Sequence, residues 1–123
     1  MNLSHLKHIK EELPPYYKKL KPYFKDVIPF VTIGDTLYNP GGHEITSDLL
    51  VHENVHARQQ EGKDLEKWVD RYLTDTEFRK QIELEAYREQ YKADGNLDFL
   101  AHLLSGMYNL SITKEDAKRL IAN

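Results

Sequence analysis

The stretch Val51-His52-Glu53-Asn54-Val55-His56 constrains this chain more than any other. It lies in a run that reads as one helix. Thr46 or Ser47 can cap that helix, and it runs to about Glu61, where Gly62 supplies a stop. Residues four apart share a helical face, one turn from each other. His52 and His56 therefore stand side by side, and Glu53 lies about 100° round the helix. Two imidazoles so placed can reach one ion at about 2.0–2.1 Å. Glu53 can reach a water on that ion without being a ligand. H-E-x-x-H is a short pattern, and a helix with two incidental histidines is the alternative. Apolar residues flank the histidine face on both sides, Val51 and Val55 on one and Leu50 and Ala57 on the other. That places the helix centrally, where polar groups without partners are costly.

A third ligand is available downstream, in Gln81-Ile82-Glu83-Leu84-Glu85-Ala86-Tyr87-Arg88. At about 100° per residue, Glu83 falls between two apolar arcs. One arc is Phe78, Ile82, Ala86 and Ala93; the other is Leu84, Tyr87 and Tyr91. Glu85 falls opposite, with Gln81, Arg88 and Lys92, and reads as a solvated charge. Glu83 points inward, where its partner is either a metal or a buried arginine.

The rest of the chain is mostly helical with one small sheet near its front. Ser4 to Leu13 reads as a helix, from Leu6, Ile9 and Leu13, and Pro14 and Pro15 interrupt it. Tyr16 to Phe24 reads as a short helix disturbed by Pro22. Val27 to Ile33 is β-branched and aromatic and reads as a strand, demoted to an edge near Pro29. Gly34-Asp35 offers a tight turn, with Thr36 to Tyr38 pairing back as a hairpin. After the motif helix come helices over about Asp64 to Leu73, from Thr74 or Asp75 to Gly95, over Leu97 to Gly106, and over Lys114 to Ile121. The first of these is expected to bury Leu65, Trp68, Val69 and Tyr72. Thr113 with Asp116 resembles a capping box for the last. Residues 1–123 read as a single α+β, predominantly helical domain.

Composition narrows the chemistry. There is no cysteine, so thiolate metal sites, disulfides and thiol catalysis are excluded. Net charge is -3 and the lysine cluster Lys18, Lys19, Lys21 and Lys25 is modest, so nothing resembles a nucleic-acid stripe. No run has the length of a signal peptide or of a membrane span. The expectation is a soluble, cytoplasmic protein with no nucleic-acid or membrane partner.

H-E-x-x-H on one helix, with E-x-x-A on a later one, resembles the gluzincin branch of the zincin metallopeptidases. The likeness is greatest to the very short single-domain members and to compact zincin-like proteins of bacteria and their phages. It covers roughly residues 27–94. It implies a zincin-like fold, with a small hairpin or sheet before the motif helix and a ligand-bearing second helix after it. It implies Zn²⁺ held by His52, His56 and Glu83, Glu53 as the catalytic base, and a peptide or protein substrate hydrolysed by an activated water. Ala86 would let the two helices approach closely, and the strand from Phe30 to Ile33, or its hairpin partner, would form the rim along which an extended peptide lies. The sequence departs from the thermolysin-like pattern at Tyr87, where those members place an Asp that orients a ligand histidine. The oxyanion-stabilising Tyr and His are also unmatched; Tyr87, Tyr38 and His102 are the available candidates. His43, in the loop before the motif, could approach the site, and His5 and His8 read as surface residues. The alternative to an enzyme is a zincin-like binding or structural module with a structural or vestigial metal.

Overall fold

A computed structural model describes residues 3–24 and 30–123. Its elements are β1 (His8–Lys10), α1 (Tyr17–Phe24), β2 (Val31–Ile33), β3 (Thr36–Tyr38), α2 (Ser47–Gln59), α3 (Leu65–Thr74), α4 (Thr76–Lys92), α5 (Leu97–Met107) and α6 (Lys114–Ala122). The fold is α+β and mostly helical. The three strands form one sheet in the order β1-β3-β2, so β3 is central. β2 and β3 are the expected antiparallel hairpin, with Ile33 opposite Thr36. Gly34 makes the turn possible: its φ of 63° is left-handed, as the first central position of a type II′ turn requires.

The helices begin where the sequence supplies caps. Asp64, Asp75 and Asn96 each accept a hydrogen bond from the backbone N–H three residues on, and Thr113 with Asp116 forms a full capping box. Thr46 occupies the cap position of α2, but its side chain makes no capping bond. α2 ends before Gly62, whose φ of 69° suits a residue without Cβ.

One reading needs correction. The helix expected over Ser4 to Leu13 is not formed; His8–Lys10 is a strand paired in parallel with β3. Of the three apolar residues that suggested a helix, only Leu6 is buried, while Ile9 and Leu13 are 52 % and 53 % exposed. The backbone finds stronger partners elsewhere. Asn54 Oδ1 accepts from the N–H groups of both His5 and Leu6, and Asp35 O from those of Lys7 and His8. A short isolated helix carries a nucleation cost that these bonds do not. The short helix expected over Tyr16 to Phe24 is α1, with Pro22 inside it. Of the predicted strand, Val31–Ile33 is formed and Phe30 lies just outside it; positions 27–29 lie outside the described residues.

Three apolar clusters surround α2 and α4. One joins α4, α5 and α6 through Leu84, Leu100, Leu104 and Ile121. A second joins α1, β2 and α3 through Leu20, Val31, Ile33 and Val69. The third sets Leu6 and Leu37 against Ala57 on α2. Val69 and Tyr72 are buried as expected, with Leu65 and Trp68 half-buried beside them. Arg79, itself buried, ties α4 to its neighbours by donating to Tyr72 O and Tyr108 O. Among the described residues no helix is long and apolar enough to cross a membrane.

Candidate metal centre

α2 and α4 pack along each other, and the polar atoms they share lie inside that contact. His52, Glu53 and His56 from α2 and Glu83 from α4 are all buried. His56 Nε2 lies 3.0 Å from His52 Nε2 and 3.1 Å from Glu83 Oε1. His52 Nε2 lies 3.4 Å from the same carboxylate oxygen. Four ligands at about 2.0–2.1 Å from a tetrahedral ion stand about 3.3 Å apart, so these three atoms have the spacing of such a set. Among the described residues they are the one group of three or more His, Asp or Glu side chains so clustered.

Helical phase separates the two glutamates as the sequence implied. Glu85 is exposed and pairs with Arg58 Nη2 at 2.6 Å. Glu83 is 4 % exposed, and its ionic partners are the two imidazoles. The buried-arginine alternative is not realised among the described residues, because Arg79 directs its N–H groups to Tyr72 O, Tyr108 O and Thr76 Oγ1. Ala86, one turn on, is completely buried.

The tautomer of His56 follows from its neighbours. Gln59 Nε2 donates to Ile82 O and to Glu85 Oε1, both acceptors only, which fixes the amide's orientation. Gln59 Oε1 then faces His56 Nδ1 at 2.9 Å, so Nδ1 carries a proton. In the neutral ring the Nε2 lone pair must therefore point at Glu83 Oε1, and a lone pair facing a carboxylate needs a cation between them. In the protein alone a proton fills that place. Burial pulls the His56 pKa down, but the Glu83 carboxylate outweighs it and raises it to about 9. Burial likewise opposes ionisation of Glu83, yet His56 and His52 hold it well below the usual carboxylate range. A positive charge at the meeting point of the three atoms is what the surroundings favour, and a divalent ion fits the same place.

Two supports of the site escaped sequence reasoning. Tyr72, read as core, donates from its hydroxyl to Glu83 Oε2 at 2.5 Å. That leaves Oε1 to face the imidazoles. Burial and the adjacent carboxylate raise the Tyr72 pKa well above 10, which keeps it a donor. Trp68 stacks on its ring at 5.7 Å. Thr32, on β2, donates to Glu53 Oε2 at 2.5 Å and orients that carboxylate beside the triad. Neither contact has a local sequence signal, since each joins elements brought together only by folding.

The departure at Tyr87 has a structural counterpart. Its ring stands edge-to-face with His52, centroids 4.4 Å apart, and its hydroxyl meets that of Tyr108 at 2.6 Å. His52 Nδ1 is buried with no hydrogen-bond partner among the described residues. A cavity of about 70 Å³ opens over the triad. Its polar floor is the triad with Glu53 and Thr32, and Val31, Ile33, Trp68 and Met107 are among its apolar walls. Tyr72 and Tyr108 also line it, whereas Tyr38, Tyr87, His43 and His102 do not. His43 and His102 are exposed, as is His8; His5 is half-buried and paired with Glu61. Comparisons with family profiles, with curated proteins and with solved structures return no match to this chain.

Proposed function

We propose that this chain is a zinc-dependent peptidase of zincin-like design, in which His52, His56 and Glu83 hold the ion and Glu53 moves the proton. The convergence of three buried ligand atoms from two helices, beside a carboxylate that is not among them, carries this reading. Two imidazoles and one carboxylate without thiolate form a donor set typical of catalytic zinc. Bound there, zinc supplies Lewis acidity and brings the pKa of a water towards about 7.

The chain's own residues do the rest. Thr32 holds Glu53 Oε2, leaving Oε1 to take a proton from the water. The water oxygen adds to the peptide carbonyl carbon, the C–N bond breaks, and Glu53 passes its proton to the departing amine. Tyr72 holds Glu83 by its outer oxygen and so keeps the carboxylate from turning away. The apolar walls exclude bulk water from the reacting groups.

Glu53→Gln tests the proposal. The variant keeps the size of the side chain and one acceptor for Thr32, so fold and zinc content should persist. Cleavage of a mixed peptide pool, read by mass spectrometry, should fall by about 10²–10⁴-fold. Undiminished cleavage by the variant would remove Glu53 from the mechanism. A wild type that binds zinc fully yet cleaves nothing would be a metal-holding binding module.

A further inference from the structure

The backbone groups along β2 decide how a peptide can lie there. Among the described residues β2 ends the sheet, with β3 on one side only. In an antiparallel pair, residues alternate between those that bond their partner and those whose N–H and C=O face away. Ile33 and Thr36 flank the two-residue turn, which makes them the bonded pair. Thr32 therefore directs its N–H and C=O to the outer edge, and the Gly34 N–H at the turn faces the same way.

Part of that edge is already taken. Gln60, directly after α2, is 2 % exposed and lies flat against it. Its Nε2 donates to Thr32 O at 2.8 Å, and its Oε1 accepts from Gly34 N–H at 2.9 Å. One side-chain amide so placed reproduces the peptide group of a neighbouring strand. A further bond from Nε2 to His56 O, at 3.1 Å, anchors it to the motif helix.

β2 and α2 advance in the same sense, since Thr32 meets Glu53 and Gly34 meets Gln60. The reacting groups sit at Thr32, and Gln60 blocks the lane beyond, towards Gly34. A substrate strand paired antiparallel to β2, the more stable pairing, would run the opposite way. Its residues before the scissile bond would enter the lane that Gln60 fills. Those after the bond would pass towards Phe30, where Gln60 makes no bond.

We infer that Gln60 is a specificity-determining residue that removes main-chain recognition on the N-terminal side of the scissile bond. The inference rests on the peptidase reading and narrows its substrate class. The favoured peptides are those recognised through residues following the cleaved bond, with cleavage indifferent to length before it. This narrows the expected rim, the strand from Phe30 to Ile33 or its hairpin partner, to the part of β2 before Gln60.

The test takes the peptide cleaved fastest by the wild-type, zinc-loaded protein in the mixed pool and lengthens it separately at each end. Residues added after the cleaved bond should raise kcat/KM by roughly 2- to 10-fold per hydrogen bond gained. Residues added before it, beyond the first, should leave kcat/KM unchanged. In Gln60→Ala the second series should gain while the first is unaltered. A wild-type rate that climbs with length on the N-terminal side would overturn the inference and leave the peptidase reading standing, and it needs no variant to fold. No cleavage of any peptide by zinc-loaded protein would overturn both.

Discussion

Among the described residues, both ring nitrogens of His56 have a partner, and one of His52 does not. Gln59 receives the His56 Nδ1 proton, and is itself held by Ile82 O and Glu85, which Arg58 pairs in turn. His52 has the edge-to-face Tyr87 ring on that side, and its Nδ1 has no hydrogen-bond partner among the described residues. A ligand fixed by a chain of bonds has one tautomer and one ring orientation; a ligand fixed by packing alone keeps more freedom. In the proposed centre the His56 flank would set the geometry, and His52 would adapt to the ion. A buried polar atom without a hydrogen-bond partner costs about 1–3 kcal/mol, so the His52 flank is also where the fold gives up stability.

The largest expected effect spans both flanks. An ion bound only by the folded chain joins α2 to α4, and at a thousandfold excess over its dissociation constant it stabilises by about 4 kcal/mol. Thermal melts with zinc and with chelator should differ accordingly. Equal melting temperatures in verified metal-free and loaded samples would count against ligands from both helices.

Next is loss of a ligand. His52→Ala, His56→Ala and Glu83→Ala should each weaken zinc binding by roughly 10²–10³-fold, a share of the overall affinity of a structural site. Glu85→Ala should retain the metal, with a smaller loss through Gln59. Zinc titration of the four variants decides the matter, and a Glu85→Ala deficit larger than that of Glu83→Ala would reverse the assignment.

The supporting contacts sharpen the contrast between flanks. Gln59→Leu and Tyr72→Phe should each lower zinc affinity by about 10–100-fold. Tyr87→Phe keeps the ring against His52 and loses only the hydroxyl contact to Tyr108, so its affinity should be little changed. If Tyr87→Phe proved as damaging as Gln59→Leu, the two flanks would be equally fixed and the asymmetry would be wrong.

The smallest effect concerns the proton that stands in for the metal. With the His56 pKa raised to about 9, the metal-free ring is protonated at neutral pH, and a metal at Nε2 must displace that proton. Affinity should fall as pH falls below about 9, by about tenfold per unit from this group. Calorimetry at pH 7 in buffers of different ionisation enthalpy should report about one proton released from His56 per ion bound.

How much of this was legible in the sequence depends on the range of the interaction. The helices after residue 46 could be read because each carries its own periodicity and nearly all carry a cap, as at Asp75 and Thr113. The inward turn of Glu83 followed from its phase on one helix. Residues 8–10 depart from their helical spacing because their fate depends on Asp35, Asn54 and β3, far along the chain. Tyr72, Thr32, Gln59 and Gln60 were passed over for the same reason: a tyrosine at a core spacing says nothing about which carboxylate its hydroxyl will meet.

The most direct test of the central claim is the metal content of the purified protein, measured by elemental analysis alongside the His56→Ala variant. The account predicts one zinc per chain in the wild type and none retained by His56→Ala. A wild type that takes up no zinc when titrated, or a His56→Ala variant that holds it as tightly, would contradict it.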